Sequence, residues 1–214
     1  LATAYGMFFR FDEAIALNRR LLELVRGGER AEVLGRLANA LADSGKIDEA
    51  LAIFDQAVSC AESLQQKQAL AGTRLFVLHY SPNWSAKAIA AEHRAWGETY
   101  FPAVASRSFF NLPDPDRPIR VAYLSPDFKI HAVVFFLQPV LAAHDPARVT
   151  VYCYADVSKP DLVTRQLREG HNVIWRDVSR LDDAAVLRLL QEDRIDILVD
   201  LAGHTAGNRL PLFA

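Results

Sequence analysis

The stretch Ile119-Arg-Val-Ala-Tyr-Leu-Ser-Pro-Asp-Phe-Lys-Ile-His131, running into the apolar segment Ala132 to Ala143, decides how this sequence is read. Ile119–Leu124 is a short β-rich run, Ser125-Pro126-Asp127 is a turn, and Val133–Ala143 is of helix length. The same grammar continues to the end of the chain. Strand candidates Val149–Ala155, Val173–Trp175 and Ile195–Leu201 alternate with helix candidates Leu162–Glu169 and Asp182–Glu192. Strand, helix, strand, repeated, predicts right-handed crossovers and a parallel sheet covered on both faces, a Rossmann-like α/β lobe over residues 119–214. The fingerprint G-x-G-x-x-G is missing after the first strand, which disfavours a dinucleotide-binding dehydrogenase.

Upstream of this lobe, Asn111-Leu-Pro-Asp-Pro-Asp-Arg-Pro118 places three prolines in quick succession and reads as a stiff linker and domain boundary. Further back the chain repeats itself. Phe11-Asp12-Glu13-Ala14 and Ile47-Asp48-Glu49-Ala50 are the same phrase 36 residues apart. Leu34, Leu37, Ala38 and Leu41 fill the positions of a tetratricopeptide first helix, Gly45 the turn, and Ala50, Phe54 and Ala57 the second helix. Small residues let neighbouring helices approach, and Phe54 fills the gap between them. Asn18 stands where the first copy needs an aromatic, and the Gly27-Gly28 loop absorbs the slightly long period. Leu1, Ala2 and Tyr5 match Leu37, Ala38 and Leu41, so the chain is expected to start inside a repeat of a longer protein. From Gln65 to Phe101 the helical period persists without the repeat phrase, broken at Ser81-Pro82-Asn83, as in a pair of helices capping a solenoid. The expected organisation is therefore repeats over 1–64, capping or linker helices over 65–110, the Pro-rich linker over 111–118, and the α/β lobe over 119–214.

Composition narrows the function classes. In 214 residues, 24 Lys+Arg face 26 Asp+Glu, a formal charge of −2, with 51% hydrophobic residues. That balance gives no general electrostatic case for nucleic acid or an anionic membrane. The apolar run Ala132 to Ala143 is interrupted by Gln138 and Pro139 and is shorter than the ~20 residues of a spanning helix. Cys60 and Cys153 form neither a disulfide framework nor a metal cluster, and a reducing, cytoplasmic context is expected.

In a parallel sheet the loops leaving the carboxyl ends of the strands open on one edge. Two such loops carry chemistry-bearing residues. The first, Ser125 to His131, sets Asp127 and His131 four residues apart ahead of an apolar helix. A helix N-terminus at His131 favours a neutral imidazole able to accept a proton, with Asp127 orienting the ring. The competing reading has Asp127 capping the helix and His131 packing. The second loop, Asp200 to Gly207, contains Gly203-His204-Thr205, with a glycine for a tight turn and a hydroxyl able to donate to a ligand, or else a plain strand exit. Asp114 and Asp116 fall in the linker and read as solvated. His79 and His93 read as packing or surface residues, His144 as part of a turn, His171 as a helix end, and no metal site emerges. Asn83-Trp84-Ser85 fits a glycosylation pattern in a chain with no sign of secretion.

Taken in order, the repeats, the phrase Leu78-His-Tyr-Ser-Pro-Asn-Trp-Ser with Ala90-Ala-Glu-His-Arg-Ala-Trp-Gly97, Arg120 to His131, and Val199-Asp-Leu-Ala-Gly-His-Thr205 resemble bacterial O-GlcNAc transferase homologues, the family that includes plant Spindly. The resemblance implies the first half of a two-lobed glycosyltransferase B fold, with repeats running into the first lobe. It further implies inverting, metal-independent transfer from a nucleotide sugar, usually UDP-GlcNAc, to Ser or Thr of acceptor proteins. A Spindly-like O-fucosyltransferase using GDP-fucose and a repeat-based scaffold are the alternatives. The family's D-F-x-x-H loop maps onto Asp127, Phe128 and His131, with Asp127 and His131 as catalytic candidates and Phe128 on the substrate side. Its G-[HY]-T turn maps onto Gly203, His204 and Thr205 as substrate-binding candidates. No cofactor is expected. The donor contacts are expected beyond Ala214, in a C-terminal catalytic lobe that could be a second chain. Without that lobe the chain is expected to be inactive and to expose an apolar face.

Overall fold

A computed structural model describes residues 10–101, 111–170 and 172–213. The chain divides into a helical unit, Leu1–Ala103, and a sheet unit, Val104–Ala214.

The helical unit contains α1 (Phe11–Leu22), α2 (Gly27–Asp43), α3 (Ile47–Cys60), α4 (Leu64–Leu78) and α5 (Ala86–Tyr100). Each helix packs on its neighbour in sequence. The core follows the repeat spacing: Ala14, Leu37, Ala38, Leu41, Ala50, Leu51 and Phe54 are buried together, with Leu75 and Leu78 of α4 closing the cluster. Trp84, Ile89 and Trp96 of the α4–α5 pair lean on the same cluster. Ser63 and Ser85 accept the N–H of Gln66 and Ala88 and so cap α4 and α5. Asn18 is buried in the place of the expected aromatic; its amide donates to the Ala14 carbonyl at 2.9 Å. The glycine loop differs from expectation: Glu23–Arg26 form the connection, and Gly27 and Gly28 already belong to α2. Leu1, Ala2 and Tyr5 lie outside the described residues.

The sheet unit runs β1 (Ile119–Ser125), α6 (Ala132–Ala143), β2 (Val149–Ala155), α7 (Leu162–Gly170), β3 (Val173–Asp177), α8 (Asp183–Glu192), β4 (Ile197–Asp200) and a 3₁₀ turn (Leu210–Phe213). The four strands are parallel in the order β3-β2-β1-β4. Alternate residues feed two cores. Val121, Tyr123, Val151 and Cys153 face α6 and α7 through Val134, Leu137 and Leu167; Ala122, Leu124, Tyr152 and Tyr154 face α8 through Val186 and Leu190. Burial pushes the Cys153 thiol up to about 12, so it behaves as a small core hydrophobe. The outer side of α6 leaves Phe135 and Phe136 exposed.

Two expectations need correction. Strand β4 begins at Ile197, not Ile195, because Arg194 takes a left-handed conformation (φ 50°) and the Ile195 N–H closes a turn on the Leu190 carbonyl. The segment Asn111–Pro118 is not a free linker. Asn111 donates to the Arg194 and Ile195 carbonyls and to Asp196, and Arg117 forms a two-pronged ion pair with Asp196 at 2.6 and 2.7 Å. That pairing holds the Asp196 carboxyl well below the usual range. The segment is a strap on the sheet unit, and the division between units falls before it.

Candidate active site

The strand order places the site. From β1 the chain steps to β2 and β3 on one side, with α6 and α7 on one face, and then crosses to β4 on the other side of β1, with α8 on the opposite face. The carboxyl ends of β1 and β4 therefore flank a topological switch point, where open α/β sheets leave a crevice for ligands. Both candidate loops leave the sheet there, since Leu124 pairs with Asp200 and the Leu201 N–H donates to the Leu124 carbonyl at 3.2 Å.

The first loop is built around Ser125, which is fully buried and accepts the Asp127 N–H on its hydroxyl at 3.0 Å. Asp127 is largely enclosed and lies 3.6 Å from Lys129 Nζ and 3.8 Å from His131 Nδ1. His131 is the N-cap of α6: its Nδ1 accepts the Val133 N–H at 3.3 Å, while 43% of the side chain stays accessible. The capping role considered for Asp127 thus falls to His131, and Asp127 stands beside it. A neutral imidazole with Nδ1 accepting carries its proton on Nε2.

Phe128 differs from expectation. It is completely buried in the core under α6 and α7 and packs near Trp175, ring centres 5.7 Å apart, so it anchors the loop and does not face a ligand.

In the second loop the Asp200 carboxylate accepts the Ala202 and Gly203 N–H groups at 3.0 and 2.8 Å, folding the chain sharply as it leaves β4. Gly203 (φ 55°) and Gly207 (φ 78°) take left-handed conformations, and a Cβ on Gly207 would sit 3.1 Å from Pro126 Cβ. The two loops therefore touch at Gly207 and Pro126. The Thr205 hydroxyl donates to the Ala202 carbonyl at 2.7 Å, which leaves it an acceptor, not the donor expected. His204 is half-buried in the same turn.

The remaining candidates lie elsewhere. His79 and His93 face each other in the helical unit with Nε2 atoms 2.9 Å apart, and His144 Nε2 meets the Tyr123 hydroxyl at 2.8 Å. Asp114 accepts the Asp116 N–H in an exposed turn, Asn83 donates to Asp48, and His171 lies outside the described residues. Among the described residues no group of three or more His, Cys, Asp or Glu side chains is placed to hold a metal ion, and no helix is long and apolar enough to cross a membrane.

Three residues that tie the loops together escaped the reading of the sequence: Asp161, Arg209 and, in its turn-forming role, Asp200. Only Asp161 left a local signal, an acid three residues ahead of Thr164 at a helix start.

Comparison with known proteins places the chain in a family. The model of glycosyl transferase family 41 matches residues 82–214. The probable UDP-N-acetylglucosamine–peptide N-acetylglucosaminyltransferase SPINDLY of Arabidopsis thaliana is 35% identical over 145 residues, 66% of this chain and 16% of that protein. The Arabidopsis thaliana protein SEC, named for the same activity, is 31% identical over 96 residues, 45% of this chain and 10% of that one. A mutant of the Thermobaculum terrenum O-GlcNAc transferase superposes with a TM-score of 0.87 at 31% identity, covering 100% of this chain and 40% of that chain. The chain thus spans less than half the length of each of these relatives.

Proposed function

Because the chain belongs to glycosyl transferase family 41, we propose that it is part of an enzyme moving N-acetylglucosamine from UDP-N-acetylglucosamine to a Ser or Thr hydroxyl of an acceptor protein. The observation that carries this reading is that the loops bearing Asp127–His131 and Gly203–Thr205 leave adjacent strand ends at the switch point of the sheet and approach each other at Pro126 and Gly207. In the transfer, the acceptor oxygen bonds to the anomeric carbon while that carbon's bond to the diphosphate oxygen breaks. The hydroxyl proton leaves to a base, and the configuration at the sugar inverts.

His131 and Asp127 are the acceptor-side pair. With Nδ1 accepting the Val133 N–H, His131 offers its Nε2 proton to an acceptor oxygen. With Nδ1–H turned to Asp127, Nε2 becomes the base. The 3.8 Å between ring and carboxylate must shorten by about 1 Å to make that bond, a tightening expected when substrate binds. Gly203, His204 and Thr205 form the opposite wall. The diphosphate needs positive charge or backbone amides, which this reading assigns to a second lobe and not to a metal. The helical unit serves acceptor proteins.

The test is His131→Ala in the full-length protein. Turnover should fall by ~10²–10⁴-fold with donor affinity nearly intact, the range for a lost general base. Near-normal turnover in a well-folded variant would show that another residue does this work.

A further inference from the structure

The peptide immediately ahead of His131 is held from a neighbouring connection. Asp161, which precedes α7, accepts the Ile130 N–H on Oδ2 at 2.7 Å. Its other oxygen, Oδ1, accepts the Thr164 N–H at 2.9 Å and the Thr164 hydroxyl at 3.2 Å. One carboxylate therefore joins the His131 loop to the first turn of a helix. Packing does not do this job at Ile130, whose side chain is 71% exposed. The N–H groups aimed at Asp161 hold its carboxyl below the usual range, which keeps the acceptor ionised.

The far end of the same connection is braced as well. The Asp156 N–H donates to the Ser125 carbonyl at 3.0 Å, and its carboxylate takes Arg209 Nε at 2.8 Å. Arg209, two residues beyond Gly207, also donates to Asp183 and to the Leu181 carbonyl, each at 2.8 Å, and to the Val178 carbonyl at 3.2 Å. A single half-buried guanidinium thus joins the loop after β4 to those after β2 and β3 and to the start of α8.

We propose that residues 156–161 form a strut between the β4 loop and the His131 loop, and that Asp161 is the positioning residue through which the strut sets His131. The proposal rests on the reading of His131 as the acceptor-side group. The competing role for Asp161 is that of a helix cap and nothing more. Without the bond to Ile130, the His131 backbone is still held by its carbonyl, which accepts the Val134 N–H at 3.1 Å, while its ring keeps a 3.3 Å cap on Val133 and a 3.8 Å approach to Asp127.

Asp161→Ser separates the two roles. A serine caps α7 through its single oxygen and cannot also reach Ile130, so stability stays near that of the parent while the His131 loop is released. In the full-length protein, labelled with ¹⁵N-histidine, the parent His131 should show a protonated Nε2 and an unprotonated Nδ1. Asp161→Ser should move this pair toward averaged values and lower turnover by about tenfold to a hundredfold, with the donor KM little changed, as for a group misplaced by about 1 Å. Arg209→Lys, which keeps the charge and loses the fork, should shift both readouts the same way from the other end of the strut. An unchanged His131 signature in Asp161→Ser overturns the proposal whatever the activity. A moved signature with parental turnover upholds the strut and overturns instead the part given to His131 in transfer.

Discussion

Both units have apolar cores; the helical unit relies chiefly on shape, with Arg74 between Asp55 and Glu92 as its enclosed ion pair, whereas the sheet unit adds several enclosed charge pairs to its two cores. In the first, alanines at 14, 38, 50 and 57 admit neighbouring helices and Phe54 fills the space, while ion pairs such as Arg19–Glu49 and Arg36–Glu32 stay at the surface, where they contribute little. In the second, Asp193 is buried against a two-pronged Arg176 and the Tyr154 hydroxyl, while the half-buried Asp196 pairs with Arg117 and the half-buried Arg209 with Asp156 and Asp183. The contrast follows from connectivity. A repeat stack brings together only residues near in sequence, so complementary volume is enough to set its order. A parallel sheet must choose neighbours among distant strands, and directional pairs distinguish the right neighbour from a wrong one, a role that buried polar groups play in other folds.

The strongest way to break this distinction is to remove shape. Phe54→Ala should cost about 3–5 kcal/mol, as for other large buried aromatics. Amide hydrogen exchange should then rise across α1 to α4 and hold steady in β1 and β2; equal losses in both units would contradict separate means of support. Removing charge comes next. Asp193→Ala leaves the Arg176 fork without its carboxylate and the Tyr154 hydroxyl with only the longer 3.3 Å bond to the Leu189 carbonyl, and should cost about 2–3 kcal/mol, seen as faster exchange in β2, β3 and α8 and little change in α2 or α3.

The smallest effect expected is one of pH. Burial, with the His79 ring beside it, holds His93 below the ordinary imidazole range. Its neutral form is favoured by the fold, so its contribution is complete above about pH 6.5 and fades as pH falls through the lower folded value. Burial alone would raise Asp193, but the bonds from Arg176 and Tyr154 overcome it; Asp196 is lowered chiefly by Arg117. Those two carboxylates lose their contribution only below about pH 4. Acidification from pH 7.5 to 5.5 should therefore quicken exchange at the α4–α5 contact and leave the Asp193 and Asp196 surroundings protected. A loss at those carboxylates in the same window would reverse the assignment.

Legibility followed the same division. The repeat phrase at Phe11 and Ile47 led directly to Phe54 and its alanines, because every residue involved lies within one period of its partner. Strand β2 was readable to the residue, bounded by Pro146 on one side and Lys159-Pro160 on the other. Where a polar partner lay far off, the reading failed. Asn111 and Arg117 sit among prolines that say linker, and the acid that holds them, Asp196, comes roughly eighty residues later. Arg209 has no spacing to Asp156 or Asp183 that a local pattern records. At the site, the loops and their shared edge were visible because strand periodicity announces where a loop leaves. The direction of each side chain within a loop has no such period, so Phe128 was placed with the ligand when it belongs to the core.

The central position of β1 also sets a schedule for synthesis. Its β2 partner emerges within about thirty residues, but β4, which covers its other edge, follows some seventy residues after β1 ends. At about 5–20 residues per second, that edge waits roughly 4–14 s on the ribosome with its hydrogen-bonding groups uncovered. The repeats, closing on their immediate neighbours, incur no such delay. Slowed translation or a scarce holding chaperone should therefore harm the nascent sheet unit long before it harms the helices.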